Sequence, residues 1–201
     1  MKTINIYKFD ELNESAQYKV YENNNIDFSD DYSSEYIATL EAFEKIFDIR
    51  VLDYTPDRET FRYIALNEAP EGDAFRLARY LWNNYAKYIT KGKYYSTPGK
   101  VINGRYEYKH RYSKIIVGME DCSLTGVCMD LDILRPVIDC LRYKKMYDSY
   151  DELIDDCLTG FFAAWNAEKE YCNSFEYFKE YAIMNDDNYY TENGERVKGV
   201  A

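Results

Sequence analysis

Histidine is almost missing from this chain: His110 is the only one among 201 residues. The five cysteines, Cys122, Cys128, Cys140, Cys157 and Cys172, include no C-x-x-C pair. These two shortages together argue against a structural zinc site. The odd number and the lack of a stapling pattern point to reduced thiols, and Cys128, Cys140 and Cys157 fall in apolar-periodic stretches where small core residues belong. No apolar run comes near the roughly 20 residues that cross a bilayer. The opening MKTINIYKFDELNE lacks the uninterrupted apolar core of a signal peptide, so the expectation is a cytoplasmic chain with no membrane segment. There is no P-loop, no G-x-G-x-x-G, no G-x-S-x-G and no H-E-x-x-H. Those absences exclude the common nucleotide, hydrolase and metalloprotease sites; neither an enzymatic activity nor a cofactor is expected.

Three weaker arrangements remain. The tail DDNYYTENGERV has the acid and glycine content of a calcium loop. With Gly194 as the loop glycine, however, the first ligand position falls on Tyr189, which cannot start one. Asp151-Glu152 and Asp155-Asp156 lie one helical turn apart and could clasp a divalent cation. Beside Leu153 and Cys157, the same spacing is that of the wet face of an amphipathic helix. Cys122 and His110 would make a thiol–imidazole pair only if the fold joined them, and nothing in the sequence does. No metal or catalytic residue is assigned.

What is abundant is tyrosine, with 23 residues, and charge distributed very unevenly. The stretch from Lys87 to Lys114 holds eight Lys or Arg, six tyrosines and the sole histidine against one acid, Glu107. Residues 1–86 carry nine bases and seventeen acids, and residues 115–201 carry eight and eighteen. An acidic body thus surrounds a basic, tyrosine-rich insert at about 87–114. Bases interleaved with rings are what phosphate-backbone contact requires, since cations displace counterions while rings stack or pack on sugars. The candidate contact residues are Lys87, Lys91, Lys93, Lys100, Arg105, Tyr106, Tyr108, Lys109, Arg111 and Lys114. Three targets fit that patch: a nucleic acid, the protein's own acidic flanks or solvent, and an acidic protein partner. Charge fixes attraction and not identity.

Periodicity gives the elements. Residues 2–9 alternate as a first strand, and Asp10 or Asn13 caps a helix through about Asn23, with asparagine suited to a left-handed exit. Ile37, Leu40, Phe43 and Phe47 form a helical stripe after Ser33 or Ser34. Ile49–Tyr54 and Thr60–Leu66 form a hairpin about Thr55-Pro56-Asp57-Arg58. Asp73–Ile89 is a helix with a wide apolar face, and Asn103-Gly104 joins Lys100–Ile102 to Arg105–Tyr112 as a second hairpin. Ile115–Met119 follows as an apolar strand, then a turn at Cys122–Gly126. Helices are expected over Asp130–Arg142 (with a kink or break at Pro136), from Ser149 past Trp165, and over Ser174–Met184. A terminal strand or hairpin turns on Asn193-Gly194. The class is α+β: a single domain over 1–201, several amphipathic helices packed on short, mostly antiparallel strands. Its core should include Phe43, Phe61, Leu77, Leu81, Ile116, Leu134, Leu158, Phe162 and Trp165.

Three segments carry a family resemblance. The opening IYKFDELNESAQYKVYENN resembles the YKFDEL-S-E-x-A start of small proteins encoded by phages and mobile elements of Gram-positive bacteria. MNDDNYYTENGERV is similar to their aN-x-Y-x-F-T-E-D-G ending, with Tyr190 for the phenylalanine and Asn193 for the aspartate. CSLTGVCMDLDILRPVIDCL resembles their C-x-LTG-x-x-x-D turn and helix. Some proteins of this type resemble anti-CRISPR inhibitors that act on Cas9. The resemblance therefore implies an anti-defence protein working in the bacterial cytoplasm, with a Cas9-type effector as partner and its DNA or guide RNA as a further contact. The basic insert lies outside the resemblance. The competing expectation is a nucleic-acid-binding or regulatory module with no nuclease partner.

Overall fold

The computed structural model describes residues 5–24, 26–55, 60–66, 74–85, 100–102, 105–107, 122–143, 147–185 and 187–197. In chain order these form α1 (Glu14–Glu22), α2 (Ser33–Phe47), β1 (Ile49–Thr55), β2 (Thr60–Ala65), α3 (Ala74–Asn84), β3 (Lys100–Ile102), β4 (Arg105–Glu107), α4 (Met129–Tyr143), α5 (Tyr150–Cys172) and α6 (Phe175–Asn185), with a 3-10 turn at Phe9–Glu11. The class is α+β, with β1 paired to β2 and β3 to β4, both antiparallel. Contacts divide the chain into two compact units, residues 33–166 and residues 1–32 with 167–201.

The 33–166 unit is built on burial of aromatic and aliphatic stripes. Leu40, Phe43 and Phe47 of α2, Leu77 and Leu81 of α3, and Ile133, Leu134, Val137 and Ile138 of α4 are all buried. They meet Leu153, Ile154, Cys157, Leu158, Phe161, Phe162 and Trp165 of α5 in one cluster. Each such large side chain contributes about 1.5–3 kcal/mol by leaving water. Tyr36 stacks on Trp165 at 5.2 Å, and Phe61 and Tyr54 of the β1–β2 hairpin stack on Phe162 at 5.6 and 5.3 Å. Of the expected core, Phe61 is only partly buried and Ile116 lies outside the described residues.

Polar chemistry moves the stripe of α2. Ile37, expected on the core face, is 41% exposed, whereas Tyr36 and Thr39 face inward. Thr39 is drawn in because its hydroxyl donates to the buried Asp130 carboxylate at 3.0 Å. That carboxylate also accepts from the backbone N–H groups of Leu124, Thr125 and Gly126 at 2.7, 2.8 and 3.1 Å, and from the Thr125 hydroxyl at 2.6 Å. The Leu-Thr-Gly turn is thus wrapped around one acid, with Gly126 at φ +101°, a conformation that side chains resist. Asp48, at φ +51°, makes the sharp exit from α2 into β1, a left-handed position that aspartate tolerates. Pro136 lies inside α4, which runs unbroken from Met129 to Tyr143, so the expected break does not occur.

The 1–32/167–201 unit joins the two ends of the chain. Residues 2–4 of the expected first strand lie outside the described residues; from residue 5 on it holds a single bridge, Tyr7 exchanging backbone hydrogen bonds with Tyr190 at 2.9 Å in both directions. Pairing stops there because Phe9–Glu11 turns: the Glu11 carboxylate accepts from the Lys8 N–H at 2.7 Å. Asn13 then caps α1 through the Ala16 N–H at 3.0 Å, and the buried Gln17 amide donates to the Phe9 carbonyl at 3.0 Å. Asn23 closes α1 at φ −92°, donating its side-chain amide to the Lys19 carbonyl; of the asparagines expected to make a left-handed exit, Asn25 lies outside the described residues. The tail folds back on Asn193-Gly194, with the Gly194 N–H on the Thr191 carbonyl and the Val197 N–H on that of Tyr189. Phe9, Leu12, Ala16, Val20, Phe28, Phe178 and Tyr190 form this unit's core. All five cysteines are free; Cys140, Cys157 and Cys172 are buried, but Cys128 is exposed and is not the core residue expected.

Candidate functional site

The β3–β4 ladder sets Lys100 opposite Glu107, Val101 opposite Tyr106 and Ile102 opposite Arg105, with two residues between the strands, as an Asn-Gly hairpin requires. Three expected contact residues, Lys100, Arg105 and Tyr106, therefore belong to one short hairpin. The register also sets Lys100 across from the insert's only acid. Lys87, Lys91, Lys93, Tyr108, Lys109, Arg111 and Lys114 lie outside the described residues, as do His110 and the strand expected at Ile115–Met119.

Of the carboxylates considered as cation ligands, those of Glu152, Asp155 and Asp156 have other partners. Asp156 accepts from the Tyr147 hydroxyl at 2.6 Å, and Glu152 accepts from the Asp148 N–H at 2.6 Å while its own N–H meets the Ser149 hydroxyl at 3.1 Å. These contacts fasten the first turn of α5. Tyr63 reaches from β2 to the Asp151 carbonyl at 3.2 Å and bonds Asp155. Partial burial and the neighbouring Asp151 raise the Asp155 carboxyl above its ordinary value, although the Tyr63 hydroxyl opposes them. Among the described residues, no group of three or more histidines, cysteines or acids is arranged to hold a metal ion. Burial, then the Glu168 carboxylate, pushes the Cys172 thiol up to about 11.

The 1–32/167–201 unit has a cavity of about 830 Å³ that sequence reasoning did not anticipate. Its floor is apolar: Val20, Phe178, Ala182 and Tyr190, all buried. Its rim is polar, assembled where α1 and α6 end and the tail returns: Lys19, Asn23, Asn24, Asn185, Asp187 and Glu195. Asn185 closes α6 as Asn23 closes α1, its amide donating to the Tyr181 carbonyl at 3.2 Å. The asparagines that end α1 were visible in the sequence as a stop signal, whereas Asn185 was not read as one. Their convergence follows only from pairing the two chain ends, which no local pattern encodes.

The same unit is strongly acidic. Its sequence holds fifteen acids against seven bases, and every described acid except Glu168 is exposed. Lys19 and Glu195 form an ion pair at 3.6 Å. Among the described residues, no helix is long and apolar enough to cross a membrane. No family model, no curated protein and no solved structure matches this chain.

Proposed function

We propose that the chain is a non-enzymatic anti-defence protein of a phage or mobile element, acting in the bacterial cytoplasm as an inhibitor of a Cas9-type nuclease. The observation that carries the reading is the unit formed by the chain ends, with an excess of eight acids and almost all of its described carboxylates facing water. A surface that holds nucleic acid is rich in Lys and Arg, and exposed carboxylates offer those cations what phosphates offer. The three segments resembling phage proteins support it in a different way. Phe9, Glu11, Asn13, Ala16, Thr125, Gly126, Asp130 and Gly194 are occupied in building turns, caps and close contacts, so they specify a shape and leave binding to the acidic surface. The basic insert then serves as a second contact, to the nuclease's DNA or guide RNA.

A second reading is a nucleic-acid-binding or regulatory module without a nuclease partner, favoured by the eight bases of the insert. Capture of the tagged protein from cells expressing a Cas9, with and without nuclease digestion, separates the two. The inhibitor reading requires the Cas9 to be retained after digestion. Loss of all captured protein on digestion leaves the nucleic-acid module.

A further inference from the structure

The β1–β2 hairpin is closed along one edge and open along the other. In an antiparallel ladder, the backbone groups of successive residues point alternately toward the paired strand and away from it. The Leu66 N–H donates to the Asp48 carbonyl at 2.7 Å, and Ile49 faces Ala65, Arg50 faces Ile64 and Val51 faces Tyr63. Leu66, Ile64 and Arg62 therefore turn their backbone groups to β1, whereas Ala65, Tyr63 and Phe61 turn theirs outward. The same alternation sends the Val51 N–H of β1 outward, and there the Glu44 carboxylate of α2 accepts from it. Leu52 is the extra residue at the register shift between Val51 and Asp53, a bulge of the kind that keeps an edge from pairing again. β2 has no such protection. It contains no bulge, proline or lysine, and among the described residues nothing bonds its outward N–H and C=O groups.

The surroundings of this edge select what covers it. Ile64 is 44% exposed and Leu66 58%, both on the face of β2 turned away from the core. The strand is also neutral on a chain of net charge −11, because its one charge, Arg62, already meets Asp53 at 3.3 Å. A second β2 fits both features. Run antiparallel about a two-fold axis at Tyr63, it sets Phe61 against the partner's Ala65 and Tyr63 against the partner's Tyr63. Outward groups then meet outward groups, and each facing pair exchanges both of its hydrogen bonds. Arg62 comes to lie opposite the partner's Ile64, so no like charges face one another, and the exposed aliphatic side chains gain cross-strand neighbours. We propose that the outer edge of β2 pairs with that of a second copy of this chain, joining two hairpins into one continuous antiparallel sheet. An edge this short buries far less than the roughly 1,600 Å² of a standard interface, so the dimer is weak. The proposal stands apart from the inhibitor reading and uses none of its residues.

The test is sedimentation equilibrium of the full-length protein from about 10 µM to about 1 mM, the range of weak association, with amide hydrogen exchange at both ends of that range. The expected result is a monomer–dimer equilibrium in which exchange at Tyr63 and Ala65 slows as concentration rises. The Ile64 amide, bonded to β1, should exchange slowly throughout. Ala65→Pro removes an N–H that serves only the open edge, where a strand tolerates proline, and it should raise the dimer dissociation constant at least about tenfold. Ile64→Lys sets a cation opposite the partner's Arg62 and should weaken the dimer by a similar factor. Its exposed position leaves the monomer's melting temperature unchanged, so this variant decides the matter alone if the proline disturbs the fold. A monomer at every concentration, or a dimer indifferent to Ile64→Lys, would overturn the proposal. Edge amides already protected in the monomer would overturn it in favour of another segment of this chain. Protection that appears only on adding a Cas9–guide complex would overturn it in favour of a strand from that partner.

Discussion

At the scale of single residues, Asp130 has the heaviest duty. A buried carboxylate is tolerable only when every lone pair is used, and here three N–H groups and two hydroxyls use them. Asp130→Ala strands those donors and should lower unfolding stability by more than about 3 kcal/mol, whereas Thr39→Val, removing one of five bonds, should cost about 1 kcal/mol. Denaturant melts of the two variants would check the contrast; near-equal losses would mean that the turn is held by something other than the carboxylate. Tyrosine supplies a second residue-level test. Burial first raises the hydroxyls of Tyr63, Tyr85 and Tyr150 above the ordinary 10.0, and the hydrogen bond to Asp31 first raises that of Tyr177. Because the folded values lie above the unfolded one, the native state holds these protons longer. Their stabilisation is complete below pH 10 and is lost as pH climbs past it. A spectrophotometric titration should show Tyr63, Tyr85, Tyr150 and Tyr177 as a late group that ionises only as the protein unfolds. One reversible step covering all of them would contradict the burial of these hydroxyls.

At the scale of elements, the two ends of the chain form one clasp. A Cβ at Gly194 would stand 2.5 Å from the Ala16 carbonyl oxygen, and the residue holds φ +78°. Gly194→Ala should therefore cost at least about 2 kcal/mol, or release the tail. Hydrogen exchange at the Tyr7 and Tyr190 amides reports which: fast exchange there with slow exchange at Leu153 means a released tail. Full protection with unchanged stability would show that the clasp is looser than its geometry. How much of this was legible varies with the range of the interaction. The stripes of α3 and α5 and the Asn13 cap were readable because helical spacing and capping are local. The rotation of α2 was not, because the acid that draws in Thr39 stands 91 residues away. Of the strand expected over residues 2–9, the described part holds one bridge at Tyr7, and Glu11 turns the chain just past it. The cavity was invisible for the same cause, since residues near 20 and near 190 join only after the ends meet.

At the scale of the whole molecule, charge is divided by position in the chain, with acids at both ends and bases in the insert. The two regions make separable predictions. If the insert contacts phosphates, binding to duplex DNA weakens steeply with salt, and each contact removed lowers the log–log slope by about one. Arg105, Lys109 and Arg111 changed to Glu should abolish that binding; a slope indifferent to the three substitutions would assign the insert to solvent or to the protein itself. The acidic unit makes the larger claim, that carboxylates stand in for phosphates in a nuclease channel. Cleavage of target DNA by a Cas9–guide complex, titrated with the protein, tests it most directly. The account predicts that wild type slows cleavage, that Glu170, Glu176 and Glu180 changed together to Gln relieve the inhibition with the fold intact, and that the insert-reversed variant inhibits less than wild type. Cleavage at an undiminished rate in the presence of excess wild-type protein would contradict it.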